Sequence, residues 1–296
     1  MFLNRLKSAA WHVAYRQMPE GSILDDKHTP FVEIENNWPY CSAMDPFVFE
    51  YSGETYVFAE LYDLLEGHGV IGYSKWTDGR FSNWQTVIKE DYHLSYPFIY
   101  TDEKGDVHII PESFQDRSVY SYRATCFPEK WVREDNLISD VEYVDTTLLD
   151  TSEGHFAFTY DIAVAPKELL LYRLQNGYIV TNDKKCICTD DSVARPGGRF
   201  LRYHDNLIRV SQDCLESYGH GIVFSKVCQD FWNEYHEERV GYFGVRELWS
   251  SSKLTSLGVH TYNATGKFEV IDIKNTRFSP LELLLRVKRK VNKYIN

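Results

Sequence analysis

Residues able to carry polar chemistry recur along the chain at intervals of about 50 positions, with a longer last interval of 65. Each opens a segment that reads as strand, polar turn and strand. These residues are Asp45, Tyr96, Asp145, Arg195 and His260. Their side chains include groups that exchange protons, bond to sugar hydroxyls or neutralise a phosphate.

A second set of polar residues ends the same segments. Its members are Glu60, Glu112, Thr159 and the pair Gln212-Asp213. Carboxylates gathered in one site repel each other and lose water, so their pKa values separate and acid and base roles become available. Glycoside cleavage and glycosyl transfer use such a pair. The two sets together therefore predict a carbohydrate-active site, provided that the fold brings them together.

The segments themselves predict that fold. Residues 45–60 read DPFVFEY-SGE-TYVFAE, two apolar stretches around a Ser-Gly turn, which indicates a β-hairpin. The pattern returns at residues 96–112, 145–159, 195–212 and 260–272. Repeats of this length are typical of a propeller, in which strands radiate from a central channel.

We therefore predict an all-β protein, a five-bladed β-propeller over residues 1–275, with the residues that open the hairpins converging on the channel. The fifth hairpin lacks strands, and the early segment WHVAYR (residues 11–16) would supply one and close the ring. A two-sheet sandwich is the alternative fold.

Composition limits the functions. Hydrophobic residues make up 43% of the 296-residue chain, enough for a sizeable core, and aromatic residues make up 15%, which favours strands. The net charge of −11 argues against nucleic-acid binding. The six cysteines are scattered and predict neither a disulfide framework nor a zinc site. No apolar run suggests a signal peptide or a membrane span, so a cytoplasmic location is expected, with no cofactor and no metal.

The C-terminal segment has a different character. Ser279-Pro280 is a favourable helix start, and apolar residues then follow at helical spacing beside five basic residues. We predict a basic amphipathic helix over residues 276–296. It would either lie on an anionic membrane surface, giving peripheral contact at the inner face, or dock against a blade.

Several motifs resemble a known family. Ala43-Met44-Asp45-Pro46-Phe47 with a following FAE looks like the first blade of the arabinanase, levansucrase and invertase propellers, which include family-43 glycoside hydrolases. The longer series WHVAYR, HIIPES, FPEKW, DTTLLD, ARPGGR, SQDC and HTYN is similar to the N-terminal domain of plant glucosamine inositolphosphorylceramide transferases and related bacterial domains. This resemblance covers about residues 11 to 273.

The resemblance implies roles for two aspartates and reveals one departure. Asp45 matches the hydrolase base or nucleophile, and Asp145 is placed to match the aspartate that positions the substrate and tunes pKa values. The hydrolases carry their acid, a glutamate, on a later blade, where this chain has Arg195 followed by Pro196-Gly197-Gly198. Arginine stays charged and cannot protonate a leaving oxygen, but it clamps phosphate.

These observations predict a glycosyltransferase with a nucleotide-sugar donor and a glycan or glycolipid acceptor, furanoses being among the candidate sugars. Arg195 and His260 would contact the diphosphate, aided by amides of the Gly197-Gly198 turn, while Glu112 or Asp213 would activate the acceptor. The predicted catalytic residues are Asp45, Glu112, Asp145 and Asp213. The predicted substrate-binding residues are Arg195, His260, Gln212, Tyr96 and Glu60.

Two alternatives remain. A family-43-like hydrolase or phosphorylase would use Glu112 as the acid, with Arg195 holding inorganic phosphate in the phosphorylase. In the resembled family the propeller is joined to a separate transferase domain, so a non-catalytic glycan-binding propeller is the other alternative.

Overall fold

Five antiparallel sheets form the blades of a propeller in the computed structural model, which describes residues 7–18, 22–36, 41–228, 232–251 and 256–278. Two strands from the start of the chain, β1 (Lys7–Gln17) and β2 (Val32–Glu33), belong to the last blade. Blade 1 consists of β3 (Cys41–Tyr51), β4 (Glu54–Asp63), β5 (His68–Thr77), β6 (Arg80–Phe81) and β7 (Gln85–Ile88). The prediction of five blades is confirmed.

The other blades follow the same order from the channel outwards. Blade 2 consists of β8 (Ser95–Thr101), β9 (Val107–Glu112), β10 (Ser118–Cys126) and β11 (Lys130–Ser139), with a short 3-10 helix at Phe114–Asp116. Blade 3 consists of β12 (Tyr143–Thr151), β13 (Gly154–Asp161), β14 (Glu168–Gln175) and β15 (Tyr178–Cys188). Blade 4 consists of β16 (Leu201–Tyr203), β17 (Asn206–Asp213), β18 (Gly221–Cys228) and β19 (His236–Gly244).

Blade 5 closes the ring. The helix α1 (Val245–Ser251) leads to β20 (Ser256–Gly258), β21 (Tyr262–Ala264) and β22 (Phe268–Phe278). Strand β1 pairs with β22 along its whole length, from Lys7 opposite Phe278 to Gln17 opposite Phe268. The strand expected from WHVAYR is therefore present as β1, and its pairing with β22 closes the ring.

The inner strands of blades 1 to 3 share one local feature at the residues predicted to converge. Asp45, Tyr96 and Asp145 have φ values of 52°, 41° and 54°, and each lies at a break in the register with the second strand. Such bulges re-aim a side chain. A left-handed φ at a non-glycine residue is costly, and such residues cluster at functional sites.

The apolar core lies between neighbouring blades. The largest cluster joins blades 1, 2 and 3 through side chains such as Phe47, Phe58 and Tyr120, all fully buried. Smaller clusters join blades 3 and 4, blades 4 and 5, and blades 5 and 1. Packing of this kind fixes each blade against the next, and thereby fixes the geometry at the axis.

Two predicted elements differ or fall outside the description. The hairpin of residues 195–212 begins with a short strand, since Pro196 forms only an isolated bridge with Ser211 before β16 starts at Leu201. Strand β22 continues to Phe278, and the rest of the expected C-terminal helix lies outside the described residues. Among the helices that the structure describes, none has the length and apolar character to cross a membrane.

Candidate active site

Polar side chains from all five blades converge where the inner strands begin. Blade 1 supplies Asp45 and Glu60, blade 2 supplies Tyr96 and Glu112, blade 3 supplies Asp145, blade 4 supplies Arg195 and Gln212, and blade 5 supplies His260 and Asp272. Most of these side chains make short contacts with one another, in one set around His260 and a second set around Arg195, described below. We call this group the axial cluster.

His260 lies between two carboxylates in the axial cluster. Its Nε2 is 3.0 Å from Asp45 Oδ1 and its Nδ1 is 2.8 Å from Asp272 Oδ2. The His260 side chain is fully buried, as is that of Asp272. Asp272 also accepts hydrogen bonds from the backbone amides of Asp45, His260 and Thr261, at 3.0, 2.9 and 3.1 Å.

These contacts set the charge of both partners. Burial disfavours the imidazolium, but the charges of Asp272 and Asp45 raise the pKa of His260 to about 10. Burial also opposes ionisation of Asp45, yet His260 and a 2.8 Å hydrogen bond from Thr261 Oγ1 lower the pKa of Asp45 below its ordinary value. Asp45 is therefore held as a carboxylate beside a protonated histidine.

Arg195 forms the second charged group of the cluster. Its Nε donates a 2.5 Å hydrogen bond to Asp145 Oδ2, and its Nη2 is 3.6 Å from Glu112 Oε2. One fifth of the Arg195 side chain is exposed. The Arg195–Asp145 ion pair links blade 4 to blade 3.

Glu112 and Asp145 are electrostatically coupled. Burial and the charge of Asp145 raise the pKa of Glu112 well above its ordinary value, although Arg195 opposes the shift. Burial also raises the pKa of Asp145, against the attraction of Arg195. The surroundings of Glu112 therefore favour its protonated form, whereas those of Asp45 on the neighbouring blade favour the carboxylate.

Glu60 is a second carboxyl group of the cluster whose surroundings favour the protonated form. Burial and the nearby charges of Asp45 and Glu112 raise the pKa of Glu60 well above its usual range. Its Oε1 lies 3.7 Å from Nε2 of His93, whose Nδ1 accepts a 2.9 Å hydrogen bond from the Gly69 amide. A Cβ at position 69 would stand 2.4 Å from Glu60 Oε1, so only glycine leaves room for this carboxyl.

The remaining predicted residues, Tyr96, Gln212 and Thr159, are fully buried. Tyr96 is fully buried, and its hydroxyl is 2.9 Å from Thr147 Oγ1. Gln212 Nε2 donates to Asp145 Oδ2 at 3.1 Å and to the Pro196 carbonyl at 2.7 Å. Thr159 is buried and pairs with Thr146 of its own blade at 2.9 Å. Because Tyr96 and Gln212 are buried and hydrogen-bonded to other protein groups, they hold neighbouring residues of the cluster in position.

The structure changes three expectations about ligand contacts. His260 has no exposed surface and both ring nitrogens face carboxylates, so it braces Asp45 and is not available to a diphosphate. The amide of Gly197 donates to the Val210 carbonyl at 3.0 Å, and that of Gly198 is directed to the Tyr96 hydroxyl, so this turn does not offer free donors. Asp213 bonds to the amide of Leu215 at 3.1 Å, with no contact to the cluster among the described residues.

Three atoms of the cluster have the spacing of cation ligands. One ligand atom each of Asp45, His260 and Asp272 lies within 4.8 Å of the others. A divalent cation would have to displace the proton that the two carboxylates stabilise on His260. The described geometry therefore favours an imidazolium there, and the absence of a metal remains a prediction.

Two residues of the site were missed by the sequence reasoning. Asp272 stands between Ile271 and Ile273 in a buried strand, and this polar interruption of an apolar run was its only signal. Tyr218 lies in the β17–β18 connection, with its ring centroid 5.1 Å from Arg195 Cζ and 4.8 Å from the His260 ring. Tyr218 is 41% exposed, so it forms the solvent-facing side of the cluster.

The match to a family model decides the classification. The model described as "Glucosamine inositolphosphorylceramide transferase 1, N-terminal" covers residues 4–272. The chain belongs to this family. Its members are represented by glucosamine inositolphosphorylceramide transferase 1 of Oryza sativa subsp. indica, 27% identical over 81% of this chain and 32% of the relative. The Arabidopsis thaliana protein of the same name is 29% identical over 66% of this chain and 27% of the relative.

The chain thus spans about a third of the length of the curated relatives it matches. The chain shares the propeller fold with more distant structures. A family 117 glycoside hydrolase from Zobellia galactanivorans superposes with a TM-score of 0.53 at 10% identity, covering 92% of both chains. A GH43 endo-arabinanase from Bacillus licheniformis gives 0.51 at 13% identity, over 78% of this chain and 88% of that chain. These similarities show the fold.

Proposed function

We propose that this domain transfers a glycosyl group by acid–base chemistry at the axial cluster. The observation that carries the proposal is that one site holds two buried carboxyl groups in opposite surroundings, Asp45 at 3.0 Å from His260 Nε2 and Glu112 beside Asp145, with Arg195 Nη2 at 3.6 Å. The pKa of Asp45 is lowered and that of Glu112 is raised. Groups whose environments push their pKa values apart are suited to be the base and the acid of one reaction.

In the proposed step, the oxygen of an acceptor hydroxyl bonds to the anomeric carbon of the donor sugar. Asp45 takes the proton of that hydroxyl. The bond from that carbon to the donor's leaving oxygen breaks at the same time. Glu112 gives its proton to the leaving oxygen where the donor is a glycoside. Asp145 maintains the proton on Glu112, and His260 maintains the charge and orientation of Asp45.

For a nucleotide-sugar donor, Arg195 would neutralise the leaving diphosphate. Support comes from the exposure of one fifth of the Arg195 side chain and from the position of Arg195 beside Glu112. A phosphate leaving group needs charge neutralisation more than protonation. Arg195 would have to share its guanidinium between Asp145 and the diphosphate, which its fork of five N–H donors permits.

The names of the relatives support a proposal for the donor sugar and the acceptor. The relatives are named for glucosamine and inositolphosphorylceramide, so we propose a glucosamine-type donor sugar and a phosphoinositol-type glycolipid acceptor. Reaction at a cytoplasmic membrane face, with peripheral contact of the basic C-terminal segment, would give the domain access to such an acceptor.

A hydrolase or phosphorylase is the second candidate. The proton on Glu112 favours it, because a glycosidic oxygen needs protonation in order to leave. In the phosphorylase, the exposed part of the Arg195 side chain would hold inorganic phosphate, which takes the place of water as the attacking group.

The test is incubation of the purified chain with a panel of nucleotide sugars, and separately with aryl glycosides, each with and without inositolphosphorylceramide in micelles. We expect nucleotide release that requires acceptor and falls in Arg195→Lys. Glu103→Gln is the matched control, since that side chain is 89% exposed. Sugar release from glycosides without acceptor would instead establish the hydrolase, and binding without turnover of any donor would leave a glycan-binding module.

A further inference from the structure

A groove lies between blades 5 and 1, on the face of the ring opposite the axial cluster. Strand β3 leads from Asp45 in the cluster to the turn at Ser52-Gly53, and this turn borders the groove. The turn between β21 and β22 borders it from blade 5. Thr55, just after the first turn, comes five residues before Glu60 of the cluster, which is roughly 17 Å along β4.

The groove has room for a ligand beside an aromatic side chain. Its volume is about 530 Å³, within the range of small-ligand sites. Trp76 in its lining is partly exposed and packs against the buried ring of Phe268, with the ring centroids 4.7 Å apart. Gly53 and Gly266 have open space where a Cβ would stand, so neither turn fills the groove.

Two hydrogen-bonding groups in the lining of the groove have no protein partner. Thr55 is 4% exposed, and on β4 it lies on the same side as Val57 and Ala59, which pack against blade 5. Its hydroxyl makes no hydrogen bond to the described residues and is not fully enclosed, and the same holds for the indole N–H of Trp76. Buried polar groups nearly always have a partner, so a ligand or solvent in the groove has to supply it for Thr55.

The two charged side chains that line the groove are already paired. Lys267 Nζ is 3.1 Å from Glu50 Oε2. Glu54 Oε1 is 2.7 Å from Lys75 Nζ, and Glu54 Oε2 accepts a 2.7 Å hydrogen bond from the Tyr56 hydroxyl. The described side chains of the groove therefore offer a ligand an aromatic surface and neutral hydrogen-bonding groups, without an unpaired charge.

We infer that this groove binds a neutral sugar unit of a glycan. A sugar ring has C–H groups that pack on the indole of Trp76, and hydroxyls that both donate to and accept from the Thr55 hydroxyl. A phosphate would find no unpaired cation in the groove, and a purely apolar ligand would leave Thr55 without a partner. The groove is on the opposite face from the axial cluster, so the inference does not depend on the proposed function.

The experiment follows the indole N–H signals of the ¹⁵N-labelled chain by NMR during titration with neutral disaccharides. The probes are maltose, cellobiose, lactose, mannobiose and arabinobiose, each to about 50 mM. Trp76→Phe identifies the Trp76 signal, and we expect at least one disaccharide to shift that signal saturably. Uridine and inorganic phosphate should leave it in place. A Trp76 signal that no disaccharide shifts, or that uridine or phosphate shifts as strongly, would overturn the inference.

A pair of substitutions tests the hydroxyl of Thr55 with the best disaccharide. Thr55→Val removes the hydroxyl and should weaken binding about 5-fold, whereas Thr55→Ser retains it and should bind within about twofold of wild type. Thr101→Val, at an exposed threonine of blade 2, is the control. Glu112→Gln should also bind as the wild type does, because the axial cluster lies on the other face. Unchanged positions of the other indole signals show that each variant is folded, and equal affinities of Thr55→Val and wild type would contradict the inference.

Discussion

At the scale of single residues, the candidate site is defined by how charge is divided among seven groups. Asp45, Asp145 and Asp272 lie against the cations Arg195 and His260. Burial and neighbouring carboxylates raise the pKa values of Glu60 and Glu112, which favours their protonated forms. This division limits the net charge that has to be buried, and it leaves one acid and one base in the same site.

The pKa of His260 predicts a dependence of stability on pH. The folded pKa is about 10 and the ordinary value 6.5, so the stabilisation by this group is complete below about pH 6.5 and is lost as the pH rises through about 10. His260→Gln should therefore flatten the decline at alkaline pH and cost about 3 to 5 kcal/mol at pH 7, because it leaves buried carboxylates unpaired.

Urea unfolding of both proteins from neutral to alkaline pH checks this. His236→Gln, at an exposed histidine, is the control. An unchanged alkaline slope in His260→Gln would show that other groups dominate.

Glu112 gives a prediction about activity. If its proton is used on the leaving group, Glu112→Gln should lower kcat by about 10²-fold or more. It should also remove the alkaline limb of the pH–rate profile, because the amide has no proton to lose. The profile of Glu103→Gln should remain that of the wild type. Activity of Glu112→Gln within about twofold of wild type would assign the acid role elsewhere.

At the scale of elements, the inner strands and one turn place these residues. The bulges at Asp45, Tyr96 and Asp145 occur at the same point of three blades and turn each residue to the axis. In blade 4 the turn at Gly197-Gly198 replaces this bulge. Gly198 has a φ of 153°, and a Cβ there would stand 2.0 Å from the Tyr262 carbonyl oxygen.

Gly198→Ala should consequently destabilise the fold by about 3 kcal/mol or more, since strain and a backbone clash coincide. Gly53→Ala is the matched control, because it has a φ of 81° and open space around its Cβ position. We expect the control to cost about 1 kcal/mol. Chemical denaturation measures both values, and equal costs would contradict the close approach of the turn to blade 5.

At the scale of the whole molecule, ring closure depends on the first strand of the chain. The β1–β22 pairing joins residues more than 250 positions apart. Arg16 stabilises this closure from a side chain that is 2% exposed. It pairs with Glu269 on β22 and donates to the carbonyls of Thr29 at 3.1 Å and Asp26 at 2.8 Å.

Arg16→Met should lower the free energy of unfolding by about 3 to 5 kcal/mol, because it leaves Glu269 buried without its cation. Arg80→Met, at an exposed arginine of blade 1, should change it by less than about 0.5 kcal/mol. Equilibrium urea unfolding measures both. Similar values for the two variants would show that closure does not depend on this ion pair.

The sequence alone determined the fold class, the number of blades and most of the residues at the axis. Alternating apolar residues and turn chemistry are local, so the hairpins at residues 45–60, 96–112 and 145–159 were readable directly. The regular spacing then placed Asp45, Tyr96 and Asp145 at equivalent points of a ring. Membership of the family of N-terminal domains that the model describes was readable from the order of several motifs.

The tertiary structure alone decided which groups are paired, buried or free. Asp45 meets His260 and Asp272 from more than 200 residues away, and Arg195 meets Asp145 from 50 residues away. The pKa values of Glu112 and His260 depend on those pairings and on burial. Neither exists before the blades pack together. The sequence therefore identified most members of the site, but not Asp272 or Tyr218, and their charges and roles followed from the closed ring.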